Sequence, residues 1–448
     1  MISEKMRPFL ANNSAIRMMF EEGRQMAALY GADKVYDFSL GNPNVPAPEK
    51  VNQAIKDILD EEDPVYVHGY MSNAGYPQVR AAIAENLNKR YGTAFAEKNL
   101  IMTVGAGSGL NVALKTVLDP GDEVITFAPY FLEYRAYVTN YDGVLVTVDP
   151  DESTFQINQD GFRAKISAKT KAVIINNPNN PTGVVYSEET IRALASILEE
   201  KQKEYGHAIY LISDEPYREL VYDGAAVPFV TNYYANTMVV YSYSKSLSLP
   251  GERIGYVLIP DELEDSATTI DAATIANRIS GCVNAPSLIQ LAVGRCVDCQ
   301  ADLAFYDRNR KLLYEGLTDL GFACIRPQGA FYLWVKVPEA GSTCGEDVET
   351  GADSVCGADG GAGADSEGCA AADGAVGGTG IGNAEDAAAK KKAAEAAFVA
   401  AAKKYHILAV PGSSFACPGY VRLAYCVSHE TIVNSLPEFK KLAAEFSL

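Results

Sequence analysis

The chain has 448 residues, 48% of them hydrophobic and 21% charged, enough for two or three domains around a sizeable core. Its net charge of -19 opposes binding to nucleic acid and to anionic membrane surfaces, and no run of about 18 apolar residues is present to span a bilayer. Nine cysteines without regular spacing, and a start lacking the apolar core of a signal peptide, predict free thiols in a reducing, cytoplasmic compartment.

In chain order, an N-terminal arm with one amphipathic helix, Ile16 to Tyr30, leads to a glycine- and proline-rich connector from Phe38 to Pro48. Gly41 in that connector permits close approach of the backbone to a ligand. Tyr70 to Tyr76 is a polar loop ahead of a helix from Gln78 to Tyr91. Leu100 to Val104 reads as a strand entering Gly105-Ala106-Gly107-Ser108-Gly109, with a helix from Leu110 to Leu118. Strand, glycine-rich turn and helix N-terminus make an anion cradle, because free backbone N–H groups and the helix dipole point at the turn. The next strand, Val124 to Ala128, ends at Pro129-Tyr130-Phe131, an aromatic pair that suits either the core or a planar ligand.

Three further strands end in polar clusters. Ala172 to Ile175 runs into Asn176-Asn-Pro-Asn-Asn180-Pro-Thr-Gly183, Ala208 to Ile212 into Ser213-Asp214-Glu215-Pro216-Tyr217, and Thr237 to Tyr241 into Ser242-Tyr243-Ser244-Lys245. The gaps are close to the ~30 residues of one βαβ unit. Parallel strands point one way, so Asn180, Asp214 and Lys245 are expected at one edge of one sheet, beside the anion cradle. Lys245 is followed by Arg253, and a neighbouring cation disfavours the charged form of an amine and frees it to act as a nucleophile. The serine hydroxyls and Arg253 also suit a phosphate.

Beyond Ser280 the pattern shifts to longer helices, Pro286 to Leu317, then short strands near Gly329 to Trp334, which predicts a second, α+β domain. Cys296-Val-Asp-Cys299 is a lone C-x-x-C, read as incidental thiols. About 341–392 is rich in Gly, Ala and Asp and is expected to be a flexible insertion, with Cys344, Cys356 and Cys369 as exposed spectators. Order is expected to resume near Ala396, with a strand at Ile407 to Val410, a turn at Pro411 to Phe415 and a strand holding Arg422 among apolar neighbours. A half-buried arginine requires an anionic partner, either a structural carboxylate or that of a substrate. The organisation is therefore an arm and part of the small domain at 1–46, a large domain at 47–285 and a small domain at 286–448. None of the four histidines pairs at ligand spacing, which weighs against a histidine-built metal site and a Ser-His-Asp triad.

Taken together, N-N-P-N-N-P-T-G, S-D-E-P-Y, S-Y-S-K with R-I-G-Y, G-A-F-Y, P-G-S-S-F and V-R-L-A-Y resemble the class I/II aminotransferases of the aspartate aminotransferase fold. The resemblance runs from about Asp37 to Leu448 without the insertion. It implies an α/β fold with a mostly parallel central sheet flanked by helices, a smaller α+β domain and pyridoxal 5'-phosphate as cofactor. It further implies transfer of an amino group from an L-amino acid to a 2-oxo acid, with 2-oxoglutarate as the expected acceptor, by a ping-pong mechanism through a Lys245 Schiff base. Asp214 is the implied partner of the pyridine nitrogen, Asn180 and Tyr217 of the ring phenolate oxygen, and Phe131 of the ring face. Ala106, Gly107, Ser108, Ser242, Ser244 and Arg253 are the implied phosphate ligands. Tyr70 is implied to reach the neighbouring site of a homodimer, and Gly41, Asn180 and Arg422 to hold the substrate. No metal is implied. Gly41-Asn-Pro-Asn departs from the G-E-P-D common in the family, and no motif supplies a second arginine for a distal carboxylate. The alternatives are a C–S β-lyase on the same fold, disfavoured because Pro216-Tyr217 stands where such lyases tend to carry a histidine, and a non-catalytic regulator, disfavoured by the short arm.

Overall fold

The computed structural model describes residues 2–11, 15–338 and 381–448. Its strands are β1 (Tyr36–Asp37), β2 (Leu100–Thr103), β3 (Glu123–Phe127), β4 (Val144–Val148), β5 (Thr170–Asn176), β6 (Tyr210–Asp214), β7 (Thr237–Ser242), β8 (Gly255–Leu258), β9 (Cys324–Ile325), β10 (Tyr332–Lys336), β11 (Ile407–Leu408), β12 (Val410–Pro411) and β13 (Tyr420–Ala424). Seven form one sheet in the order β2-β8-β7-β6-β5-β3-β4. Its neighbouring strands are parallel except at β8, which runs antiparallel to both β2 and β7. β4 and β8 are absent from the sequence-based expectation: Val144–Val148 is largely half-exposed, and Gly255–Leu258 lies inside a motif that carries chemistry.

Side chains of the central strands alternate between two cores, as a period of two requires. Ile174, Ile212, Met238 and Val240 pack with Leu110, Ala113 and Leu114 of the helix Gly105–Val117. Val173, Ile175 and Leu211 pack with Ile191, Leu194 and Leu198 of the helix Glu188–Tyr205. Both ends of the latter helix are written in its sequence: Ser187 accepts from the Thr190 N–H at the start, and Gly206 closes it in the left-handed region.

A four-stranded antiparallel sheet, β12-β13-β10-β9, builds the second core with the helices Leu303–Asp319 and His429–Glu445. β1 pairs with β11, so the N-terminal connector returns to this smaller unit. The sequence places the domain boundary at 285/286, yet the helix Ser287–Gly294 buries Ile289, Leu291, Ala292 and Val293 in the large-domain core with Val51, Ile58 and Val79. The next helix, Leu303–Asp319, packs instead in the second core. Over the span Pro286 to Leu317, where longer helices are expected, two helices form, Ser287–Gly294 and Leu303–Asp319, separated by turns. Likewise, the last part of the expected insertion is helical, since one helix spans Ile381–Lys404. The expected flexible stretch from 341 to 380, with Cys344, Cys356 and Cys369, lies outside the described residues. Among the described residues no helix is long and apolar enough to cross a membrane.

The helix Gly105–Val117 sits directly on the sheet because Gly109 has no side chain. A Cβ there would lie 2.7 Å from Val240 Cγ1 and 3.2 Å from Val257 Cγ2. Gly109→Ala is expected to destabilise the fold by about 1–3 kcal/mol through overpacking, measured as a shift in the denaturant midpoint.

Candidate active site

At the carboxyl edge of the large sheet, Asn176 of β5 lies opposite Asp214 of β6, and Asp214 opposite Val240 of β7, two residues before the strand ends at Ser242. This register brings the polar strand ends to one rim. A cavity of about 320 Å³ opens there, lined by Gly41, Ala106, Gly107, Phe131, Asn180, Asp214, Tyr217, Ser242, Ser244, Lys245, Arg253 and Arg422. Two residues assigned by resemblance are not among its lining. Ser108 faces a neighbouring cavity with Asn111 and Lys115, and Tyr70 is 94% exposed.

Asp214 is buried at the end of a central strand. Tyr134, itself fully buried, donates its hydroxyl to Asp214 Oδ2 at 2.6 Å, while Oδ1 has no partner among the described residues. Burial pushes the Asp214 carboxyl up to about 7; the Tyr134 hydrogen bond opposes this, and the Glu215 charge adds to it. The site thus offers one buried carboxylate oxygen with its acceptor capacity unused. Asn176 braces the strand end by donating to the Asp214 carbonyl at 2.9 Å, and its Oδ1 accepts from the Asn180 N–H at 2.6 Å.

Lys245 lies in the single helical turn Tyr243–Ser246 that follows β7, rather than in an open loop. Its Nζ donates to the Gly41 carbonyl at 2.7 Å and stands 5.2 Å from the centre of the Phe331 ring. Desolvation lowers its pKa to about 8, helped by the positive charges of Arg422 and Arg253 and opposed by Cys426. Gly41 is required for this approach, since a Cβ there would collide with the Tyr332 hydroxyl. Tyr332 and Tyr217 share a hydrogen bond of 2.8 Å between their hydroxyls.

The anion cradle is built differently from the expected turn, because the helix begins at Gly105 and not at Leu110. Gly105 takes the left-handed conformation (φ 78°), and a Cβ on it would meet Arg253 Nη2 at 2.7 Å. The first-turn N–H groups, the paired hydroxyls of Ser242 and Ser244 (2.7 Å) and the Arg253 guanidinium converge. The protein acceptors of Arg253 are the neutral Pro250 carbonyl at 3.0 Å, the Val104 carbonyl at 3.4 Å and Ser244 Oγ at 3.5 Å.

Arg422, in β13, is 2% exposed. Its guanidinium lies 4.4 Å from the Tyr332 ring centre and 5.0 Å from that of Phe415. It donates to Asn180 Oδ1 at 3.0 Å and to the Ser39 carbonyl at 2.5 Å, and Nε has no partner. Of the other buried arginines, Arg218 and Arg310 sit against carboxylates at 2.9 and 2.7 Å, whereas Arg80 donates to the Glu97 and Leu100 carbonyls at 2.6 and 3.4 Å. Arg422 contacts none among the described residues, so the structural ion pair open to it from sequence is not what holds it.

Tyr134, Tyr137 and Asn176 also belong to the site and carry no sequence assignment. The available signal was position: Asn176 ends β5, and both tyrosines lie in the helix Glu133–Asn140 just beyond the end of β3.

Residues 33–436 match the family described as aminotransferase class I and II. The aspartate/prephenate aminotransferase of Thermus thermophilus is 30% identical over 408 residues, covering 90% of each chain. The aspartate aminotransferase of Pyrococcus horikoshii is 30% identical over 340 residues, 75% of this chain and 82% of that one. Among solved structures, an amino transferase from Eubacterium rectale superposes over the whole of both chains with a TM-score of 0.86 and 44% identity. Aspartate aminotransferase from T. thermophilus with maleate superposes over 99% of each with a TM-score of 0.75 and 26% identity.

Two measurements on the ligand-free chain check this electrostatic arrangement. Lys245 is charged below about 8 and neutral above it, so its acylation by acetic anhydride should accelerate as pH rises through that value, well below an ordinary lysine. Tyr134→Phe removes the one hydroxyl that favours ionised Asp214. The affinity for pyridoxal 5'-phosphate should fall about tenfold or more, and the pH at which affinity is half lost should move upward.

Proposed function

The chain belongs to the class I and II aminotransferases, and from that membership we propose how its own residues divide the reaction. The enzyme is a pyridoxal 5'-phosphate-dependent transaminase that moves an amino group between an amino acid and a 2-oxo acid. When bound, the cofactor supplies a carbonyl that carries the nitrogen and a protonated ring that accepts the electrons released at the substrate Cα.

The residues fit that group. The unpartnered Asp214 Oδ1 suits a ring N–H, and a charge-assisted bond of this kind contributes roughly 1.5–3 kcal/mol. Gly107 and Ser108 N–H groups at the helix start, with Ser242, Ser244 and Arg253, suit the phosphate dianion, and Phe131 the ring face. Ser108 keeps this role through its backbone, although its side chain faces the next cavity. Asn180 and Tyr217 present polar groups for the ring oxygen.

Lys245 Nζ is the base that removes the donor's Cα proton and, in the second half of the cycle, returns a proton to the Cα of the amino acid formed. A pKa of about 8 leaves a usable fraction of neutral amine at neutral pH. Arg422 binds the α-carboxylate. That buried fork, on the cleft lining and without a protein carboxylate among the described residues, is the observation that carries the reading, because a desolvated guanidinium facing a cavity favours an anion there. The Tyr332 and Phe415 rings fix its plane, and Asn180 and Ser39 fix its rotation.

Tyr70, exposed and outside its own cleft, is assigned to the neighbouring site of a homodimer. The acceptor is assigned as 2-oxoglutarate and the compartment as the cytoplasm, the latter supported by six free cysteines among the described residues.

Initial rates with L-amino acids and 2-oxoglutarate should give the parallel reciprocal plots of a ping-pong cycle. Lys245→Ala should abolish turnover and the visible absorbance of the bound cofactor. Arg422→Lys, which keeps the charge but loses the fork, should lower kcat/KM about a hundredfold, the equivalent of ~3 kcal/mol. Wild-type rates in the lysine variant would refute the assignment.

A further inference from the structure

The helix Ser287–Gly294 ends in a tight turn in which the Cys299 N–H donates to the Cys296 carbonyl at 3.0 Å. Such an i to i+3 turn brings the end Cα atoms within about 7 Å, overlapping the ~4.4–6.8 Å that a disulfide spans. Cys296 is buried in the large-domain core, whereas Cys299 is partly exposed and lines a cavity of about 440 Å³. This is the usual division between a resolving and an attacking thiol. The cavity lies outside the active cleft, but Tyr243 and Ser246 of the Lys245 turn also line it.

Backbone bonds join the cysteine turn to that turn. The Ala301 N–H donates to the Ser246 carbonyl at 2.7 Å, and Gln300 Nε2 donates to the Glu219 carbonyl at 2.8 Å. The Tyr241 hydroxyl closes the circuit, 2.6 Å from the Glu219 carboxylate and 2.7 Å from Ser246 Oγ. The same segment leads into the helix Leu303–Asp319 of the second core. A change in the Cys296–Cys299 turn therefore has a short, hydrogen-bonded route to the residue that holds the reactive amine.

We propose that Cys296 and Cys299 are a reversible dithiol–disulfide pair that exchanges with external disulfides, and that its closure is transmitted through Gln300 and Ala301 to the turn carrying Lys245. Cys299, as thiolate, attacks one sulfur of the external disulfide and releases one thiol; Cys296 then gives up its proton, attacks Cys299 Sγ and releases the second. The two enzyme thiols lose two electrons and two protons, and the external disulfide gains both. Burial raises the Cys296 thiol to about 11, which suits the buried, second-acting member of the pair.

The test equilibrates holoenzyme in glutathione buffers of graded oxidised-to-reduced ratio, quenches by alkylation and maps cysteines by peptide mass. The peptide holding Cys296 and Cys299 should lose two hydrogens as a unit. Turnover should fall about threefold or more in parallel, because small displacements of a positioned reacting group are costly, and dithiothreitol should restore it. Cys299→Ser, at the partly exposed position, should keep wild-type turnover and lose the response; Cys296→Ser should do the same where it folds. The proposal is overturned if both thiols stay alkylatable in oxidised glutathione, if Cys299 accumulates glutathione without closing on Cys296, or if the bridge forms with turnover unchanged. It is equally overturned if Cys299→Ser still responds. The link to turnover rests on the assignment of Lys245, but bridge formation is read by mass alone, so failure of one is distinguishable from failure of the other.

Discussion

The structure depends on a carboxylate buried where solvent cannot pay for its charge. Asp214 closes a central strand, with neighbours on both sides and helices over both faces. Desolvating an ion of this size is worth several kcal/mol, whereas one hydrogen bond to a charged group returns about 1.5–3. Tyr134 alone therefore does not offset burial, consistent with a carboxyl held up at about 7. A cationic N–H against the unused oxygen would complete the balance. The apolar strands around Asp214 thus set both the rigidity of the fold and the site's demand for a ligand.

Arg422 presents the same demand with the opposite sign from the other domain. It is reached through contacts that tie the two units together: Asn180 beyond β5, Ser39 in the N-terminal connector, and the aromatic rings of Tyr332 and Phe415. Tyr217, three residues beyond Asp214, packs in the small-domain core and bonds Tyr332. The connector carries Gly41 to Lys245 and Ser39 to Arg422, so one extended segment touches both reactive ends of the cleft. A break in that segment would loosen the amine and the guanidinium together.

What could be read from sequence was whatever follows from strand direction. Asn180, Asp214 and Lys245 lie on one rim because parallel strands deliver their carboxyl ends together, and alternation of apolar residues marks those strands. Helix starts were less legible. Glycines at 105, 107 and 109 suggest a turn, yet the helix begins at Gly105 because these residues are small where Arg253, Tyr137 and Val240 press against them. The helix Ser287–Gly294 looks like part of the second domain by position, and only its packing against Val51, Ile58 and Val79 places it in the first. Tyr134 could not be weighted from sequence, since its importance rests on one contact with a residue 80 positions away.

The distribution of charge explains how an acidic chain can hold anionic ligands. Against a net charge of -19, the cleft gathers Lys245, Arg253 and Arg422 on its lining, and exposed charges beyond a Debye length of about 8 Å are largely screened. Burial first, and then the two guanidinium groups, keep the Lys245 amine partly neutral, the latter because each disfavours a second positive charge nearby. Anions arriving at Arg253 and Arg422 would cancel that repulsion and return proton affinity to Lys245.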